Sequence, residues 1–507
     1  MKHLKIKKGI LALIAASIST SVLADDARLE ERVRQLEDLL KTMQQQRAEQ
    51  DKQVEMLTKE LVTLENQVNN NADYSESRKK DSPVVTAGEG GFGFKSADGK
   101  HAIALTGRVQ SDYRTYAKAD AQNADTFDLR RAYLTVSGKM YGDYDFKVSG
   151  DFAQQSNDSA IKKTILDEAY FGINWWPQAR LRAGQFNMPF GLENVTSDLF
   201  NDFTERAVTE ALTPSKERGV MVHGNPIDGA YYGLALSTGR GKNANNTDNQ
   251  IDQPEVIGRG VVNLAKLANI QNVVVHLGGS FSHGYISGGQ TTNSNTFANN
   301  TFLVGQGNAS SQTEGRGITF FTPTPITLTP GNDIERTRLG MEAALAYRSL
   351  KLQSEYITHN YSGVSGVNTP FDKDINAWYA SANWLITGEN YADSYLKDGT
   401  WGRIKPKNEF NLANGSVGAI VLGLRYSEYD AADFSSGVGA VAIGTPTGSH
   451  AWTGAVTWIL NPNTRVALNY IDTQFDGGVI TVKDNAGTSV GTTSGEKTIT
   501  VRGQFDF

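Results

Sequence analysis

Residues 498–507 read TITVRGQFDF. Ile499, Val501, Gly503, Phe505 and Phe507 alternate with Thr498, Thr500, Arg502, Gln504 and Asp506. Successive side chains of a strand point to opposite faces, so one face is apolar and the other wholly polar. The pattern recurs upstream. Tyr144, Phe146, Val148, Gly150 and Phe152 stand opposite Asp145, Lys147, Ser149 and Asp151, and Leu339, Met341, Ala343, Leu345 and Tyr347 stand opposite Arg338, Glu342 and Ala346. Trp452, Gly454, Val456, Trp458 and Leu460 form another such face, with a tryptophan near each end as in an interfacial aromatic girdle. A soluble β-sandwich also alternates, with its apolar face turned inward. Here the polar faces carry charges of both signs, as a wet lumen would.

The N-terminus supplies the compartment. Lys2, Lys5, Lys7 and Lys8 precede the short apolar run GILALIAASI, and Val22-Leu23-Ala24 stands before Asp25, which predicts a secretory signal over residues 1–24. In an outer membrane a closed barrel is one of the few ways to satisfy backbone polar groups in lipid. No stretch of the mature chain is apolar for the roughly 18 residues a spanning helix needs. The 51 glycines, 13 prolines and tyrosine- and phenylalanine-rich aromatics suit many strands joined by polar turns; cysteine is absent, which avoids wrong disulfides in an oxidising periplasm. Removing the four signal lysines lowers the basic side chains from 49 to 45 against 55 acidic ones, a net charge of −10. That excludes a nucleic-acid binder, and any anion preference must come from where the cations sit.

Leu29, Leu36, Met43, Gln50, Leu57 and Leu64 at position d interleave with Val33, Leu40, Arg47, Val54, Leu61 and Val68 at position a. This heptad seam predicts a coiled coil over residues 25–70 that self-associates, because so narrow a stripe buries too little to hold a lone helix. Its single polar layer, Arg47 and Gln50, would fix register. Residues 71–91 have no apolar period and read as a linker; residues 92–507 allow about 16 antiparallel strands of ~10 residues with short turns and longer loops. The segments around 239–255, 286–332 and 361–372 read as surface loops. The expected architecture is an all-β transmembrane barrel preceded by an α-helical coiled coil.

Three runs, FDLRRAYLTVSGKMYGDYDFKVSGDFA, LDEAYFGINWWPQARLRAGQFNMPFGLENVTSD and WLITGENYADSYLKDGTWGRIKPKNEF, together resemble the phosphate-selective porin O and P family, in the same order across the barrel. The terminal Phe507 likewise resembles the signal that outer-membrane barrels show their insertion machinery. The resemblance implies a homotrimer of 16-stranded channels in the outer membrane of a Gram-negative bacterium. It also implies lumenal arginines and lysines that pass phosphate or related anions. Arg130 and Arg131 match the family's paired arginines, usually RRAR, with Tyr133 here in the last place. By parity Arg131 shares the polar face and Arg130 the apolar one, so Arg130 rests on the match alone. Arg108, Arg180 and Arg182 are expected in the lumen. A planar guanidinium fork suits phosphate; the competing reading is that each arginine merely pairs with a carboxylate.

The stretch NVTSDLFNDFTERAVTEALTPSKERG matches the family's inward-folded constriction loop, with Glu205, Arg206, Lys216 and Arg218 as charged candidates. Acidic residues outnumber basic ones there, where a phosphate filter should be net basic. A general, unselective or cation-preferring pore therefore stays open beside the anion channel. So does a tether to the cell wall acting through the coiled coil, with peptidoglycan as partner and the N-terminal segment in the periplasm. No catalytic constellation, metal spacing or cofactor loop is recognisable, so no enzyme, metal or cofactor is expected.

Overall fold

In the computed structural model the side chains of the last strand are sorted as in a barrel and not as in a soluble sandwich. Thr498, Thr500, Arg502, Gln504 and Asp506 are at most 5% exposed, while Ile499, Val501 and Phe505 are 36% exposed or more. The structure describes residues 26–117, 125–153, 165–239, 241–242, 254–287, 300–302, 312–324, 326–328, 332–366, 368–483 and 488–507. The expected signal at 1–24 lies outside them.

Two units make up the chain, 1–82 and 83–507. The first is one helix, α1 (Asp26–Asp81). It runs beyond residue 70 and takes up half of the segment read as a linker, because residues 69–82 hold neither glycine nor proline and Pro83 is the first residue that stops it. All the apolar seam residues from Leu29 to Val68 are about half exposed or more in the single chain.

The second unit begins with a hairpin, β1 (Val84–Gly88) and β2 (Gly91–Lys95), where a linker was expected. Then come β3 (Ala102–Tyr116), β4 (Thr126–Met140), β5 (Tyr144–Asp151), β6 (Ile165–Trp176), β7 (Ala179–Asn187), β8 (Lys216–Gly224), β9 (Ala230–Ser237), β10 (Glu255–Asn263) and β11 (Val273–Ser287). A ribbon of β12 (Asn300–Phe302) and β13 (Ile326–Leu328) follows, then β14 (Asp333–Tyr347), β15 (Leu350–Ser365), β16 (Thr369–Leu385), β17 (Ala419–Asp430), β18 (Gly448–Asn461) and β19 (Thr464–Asp476). A second ribbon, β20 (Ile480–Lys483) and β21 (Ser489–Thr493), precedes β22 (Gly495–Asp506). Sixteen antiparallel strands close where β22 pairs with β3, Asp506 opposite Arg108. At the seam Phe507 lies on Gly107, where a Cβ would stand 2.4 Å from its ring. We call the mouth at Phe507 proximal and the other distal.

Residues 361–372 are not a loop: β15 and β16 run through them and turn within 366–368, since Tyr361, Phe371 and Ile375 keep the strand alternation and are buried. Nor does all of 286–332 lie on the surface. Residues 312–324 fold into the lumen, with Ile318, Phe320 and Phe321 at most 2% exposed. Glu314 there accepts from Arg425 Nη2 (2.6 Å), Ser427 Oγ (2.6 Å) and Thr453 Oγ1 (2.9 Å) on the wall. Two further segments fold inward: the loop 188–215 from the distal side, burying Met188, Phe190 and Leu192, and the turn 386–418 from the proximal side, burying Tyr391 and Trp401. Arg259 on β10 donates to Asp398 O (3.1 Å) and Gly399 O (3.0 Å), and Trp401 Nε1 to Gln353 Oε1 (2.8 Å). A barrel of sixteen strands is wide enough to leave a channel, and these segments fill much of it.

Candidate permeation path

The space left open is a cavity of about 820 Å³ along the inner faces of β3 to β6. It runs from Thr106, Arg403 and Phe507 at the proximal mouth to Ala153 and Lys242 at the distal one, past the loop 188–215. Arg108, Arg130, Arg131, Glu205, Arg206 and Lys216 all line it, so six of the nine candidates from the sequence converge there. As many carboxylates line it as cationic side chains.

Arg130 reaches the lumen although simple parity turned it outward. Gln110 pairs with Arg131 but Ser111 pairs with Leu129, so Arg130 is the extra residue of a β-bulge and both arginines stand on the inner side. Once there, neither is free. Arg130 holds Glu205 with Nε (2.8 Å) and Nη2 (3.0 Å), a two-pronged fork; Arg131 Nε meets Asp198 at 2.6 Å, and Arg108 bonds the other oxygen of Asp198. Arg502 and Arg114 add to Glu205 at 2.7 and 3.0 Å and share Asp112. Burial raises the pKa values of Asp198 and Glu205. The guanidiniums of Arg108 and Arg131, and of Arg130 and Arg502, outweigh that and hold both carboxyls well below the usual range. The expected phosphate ligands are thus the clamps that fasten the constriction loop to the wall. Glu193, in the same loop, accepts from the Ala207 amide (2.8 Å) beside Arg425, but burial pushes its carboxyl up to about 7.

Lys216 and three cations that the sequence reading passed over, Lys147, Lys242 and Arg316, face the open space. Lys216 and Lys242 both hold Asp167 at 2.7 Å and Lys147 bonds Glu168, yet these lysines are 22%, 27% and 31% exposed against 3% and 13% for the two carboxylates behind them. Arg316, from the inward strap, is 29% exposed. Arg108, Arg130 and Arg131 are 12–13% exposed, and Glu210 and Glu89 are carboxylates that protrude, at 45% and 43%. Around Asp167 and Glu168 a solute meets ammonium groups before the carboxylates behind them.

The remaining candidates lie elsewhere. Arg180 and Arg182 are on the inner face of β7 near the proximal mouth, outside the cavity. Arg180 donates to Asn225 Oδ1 (3.2 Å) and Arg182 lies 4.3 Å from the Tyr170 ring; among the described residues neither reaches a carboxylate within 4 Å. Arg218 is not a loop residue: it sits within β8 opposite Gln185, on the parity of the exposed Val220, and does not line the cavity. Lys147 could have been found from its alternation with Phe146 and Val148. Lys242 and Arg316 carry no periodic signal.

Comparison with known proteins agrees with this geometry. The family model described as phosphate-selective porin O and P matches residues 103–507. Porin O of Pseudomonas aeruginosa is 23% identical over 406 residues, 78% of this chain and 87% of that one. Among solved structures the anion-selective porin of Comamonas acidovorans aligns with a TM-score of 0.48 at 11% identity, over 80% of this chain and 100% of that one. The trimer form of OmpT from Vibrio cholerae aligns at 0.46 and 10% identity, over 80% and 99%. With most of its length matched by the family model and its strands closed into a sixteen-stranded barrel, the chain belongs to the phosphate-selective porin O and P family and is an outer-membrane porin.

Proposed function

We propose that small hydrophilic solutes diffuse through the cavity along β3 to β6 and that the channel prefers anions weakly, without a dedicated phosphate filter. The observation that carries this is the exposure of Lys147, Lys216, Lys242 and Arg316 in front of buried carboxylates, while Arg108, Arg130 and Arg131 are spent on Asp198 and Glu205. A flexible ammonium attracts an anion as a point charge but does not grip it, which suits passage more than retention. The protein acts as a channel and performs no catalytic step.

Reversal potentials of the purified mature protein in planar bilayers under a KCl gradient, with phosphate added, test this. A modest anion preference with no block by low phosphate supports it. Tight phosphate block restores the specialised filter, and a cation-selective current ends the proposal.

We also infer that the chain is exported by its signal, which is cleaved after Ala24, that the proximal mouth and α1 face the periplasm, and that the chain assembles as a homotrimer whose helices meet along the Leu/Val seam. The exposed seam supports that last step, because a 56-residue helix with such a stripe needs partners. A cell-wall tether through α1 is the second reading. Deleting residues 26–81 separates the two, since permeation survives the deletion and attachment to peptidoglycan does not.

A further inference from the structure

Resting on the reading of the cavity as a weakly anion-preferring path, we propose that Glu210 sets its valence preference, admitting small monovalent anions such as chloride and repelling divalent ones such as sulfate. Most ion pairs along the cavity keep the carboxylate behind its cation. Lys216 and Lys242 stand in front of Asp167, Lys147 in front of Glu168, and Arg403, 17% exposed, in front of Asp506, 5% exposed. Arg206 with Glu210 inverts the order. Here the carboxylate is 45% exposed and the guanidinium behind it 15%. Glu89, which also protrudes, is covered by Lys405 at 2.5 Å, itself 62% exposed. Glu210 has no such cover, since Arg206 is its one ion-pair partner among the described residues.

The fold holds that carboxylate in place. Residues 208–212 form one short helical turn in the loop 188–215, and Val208, Thr209 and Leu212 are its buried side, which leaves Glu210 and Ala211 on the cavity. The turn is pinned at its start, where the Val208 amide donates to Glu314 Oε1 of the inward strap (3.3 Å). Arg206 is pinned in its turn by Thr196 O (2.9 Å). A divalent anion is drawn to Lys147, Lys216 and Lys242 twice as strongly as a monovalent one and would dwell among them, whereas conduction needs binding weak enough to leave. The forward carboxylate opposes this, because it too acts twice as strongly on the divalent ion. One unit charge about 4 Å away in water changes the occupancy of a monovalent anion about fivefold and that of a divalent one by the square of that factor, roughly thirtyfold.

Reversal potentials of the mature protein with potassium chloride on one side of a planar bilayer and potassium sulfate on the other test this, since sulfate stays divalent at every working pH. Glu210→Gln removes the charge and keeps an acceptor for Arg206, whereas Glu210→Asp keeps the charge. At low ionic strength the sulfate-to-chloride permeability ratio of E210Q is expected to rise by up to about fivefold, the quotient of the two factors, and that of E210D to rise much less. Both variants are first checked for the folded barrel by its heat-modifiable band. An unchanged ratio in folded E210Q, or an equal rise in both variants, overturns the role of Glu210 and leaves the anion-preferring channel standing. A cation-selective wild type ends the channel reading and this inference with it.

Discussion

Removing Arg131 and removing Lys242 should have opposite consequences, although each deletes one positive charge from the cavity lining. Arg131 is 12% exposed and holds Asp198 at 2.6 Å. Truncating one partner of a buried pair costs about 3–5 kcal/mol, and because Arg108 still holds Asp198 the lower end of that range applies. The expected phenotype of Arg131→Ala is a barrel that unfolds more easily, with the constriction loop loosened and ion selectivity barely changed. Lys242 is 27% exposed to the cavity, and Lys216 still holds Asp167 once Lys242 is removed. A monovalent anion passing 4 Å from such a charge in water gains about 1 kcal/mol, roughly fivefold in local occupancy. Lys242→Ala should therefore lower anion permeability by up to roughly that factor at low ionic strength, less as salt screens the charge, and leave unfolding nearly unchanged. Reversal potentials at ~10 mM and ~1 M KCl, beside urea unfolding in detergent, read both effects. If Arg131→Ala cost as much anion permeability as Lys242→Ala with stability intact, the paired arginines would be ligands after all and the reasoning from burial would fail.

Further outcomes are expected elsewhere in the molecule. Gly107→Val puts a side chain where the Phe507 ring lies and should leave much of the protein unassembled, read as loss of the heat-modifiable folded band. Glu193 titrates near 7 in the folded chain against a usual 4.5, so the folded state holds a proton that the unfolded chain has released. Glu193 should then contribute a fall in stability as pH rises from 4.5 to 7, by a few kcal/mol (roughly 1.4 per pH unit), and Glu193→Gln should make the measured slope shallower. Asp198 and Glu205 do not confuse that window, since both are depressed and their contribution is lost only at lower pH. Leu40→Asp with Leu57→Asp should abolish helix association while single-barrel conductance persists, seen by mass measurement and bilayer recording.

What the sequence made legible follows from where one period dominates. TITVRGQFDF and the Trp452/Trp458 strand each meet lipid on one side and polar groups on the other, so alternation alone identified them. The heptads of α1 were equally plain, but residues 71–81 have no apolar period and their helix shows only as the absence of a breaker before Pro83. Arg130 was assigned the outer face because parity assumes an unbroken ladder, and a bulge adds one residue without any sequence mark of its own. The strap 312–324 hid inside a polar loop, although Ile318-Thr319-Phe320-Phe321 is a hydrophobic run that an exposed loop has no use for.

The charge count of a pore lining is a poor guide to selectivity in such a fold, for a reason internal to it. A membrane barrel spends much of its apolar surface on lipid, so the segments that narrow its lumen are held by ion pairs as well as by the buried apolar side chains they carry. Arg502 with Asp112, Arg425 with Glu314, Arg130 with Glu205 and Arg131 with Asp198 are the polar fasteners here, sharing the work with Phe190, Phe320 and Trp401. Each fastener adds one cation and one anion, so the sum stays near zero however the channel discriminates. Discrimination is left to the charges that remain exposed once the fasteners are subtracted: Lys147, Lys216, Lys242 and Arg316 against Glu210 and Glu89. A relative could therefore keep every family arginine and reverse its preference by changing a few lysines, and the identity of those lysines is the part of the family pattern that has to be read from exposure.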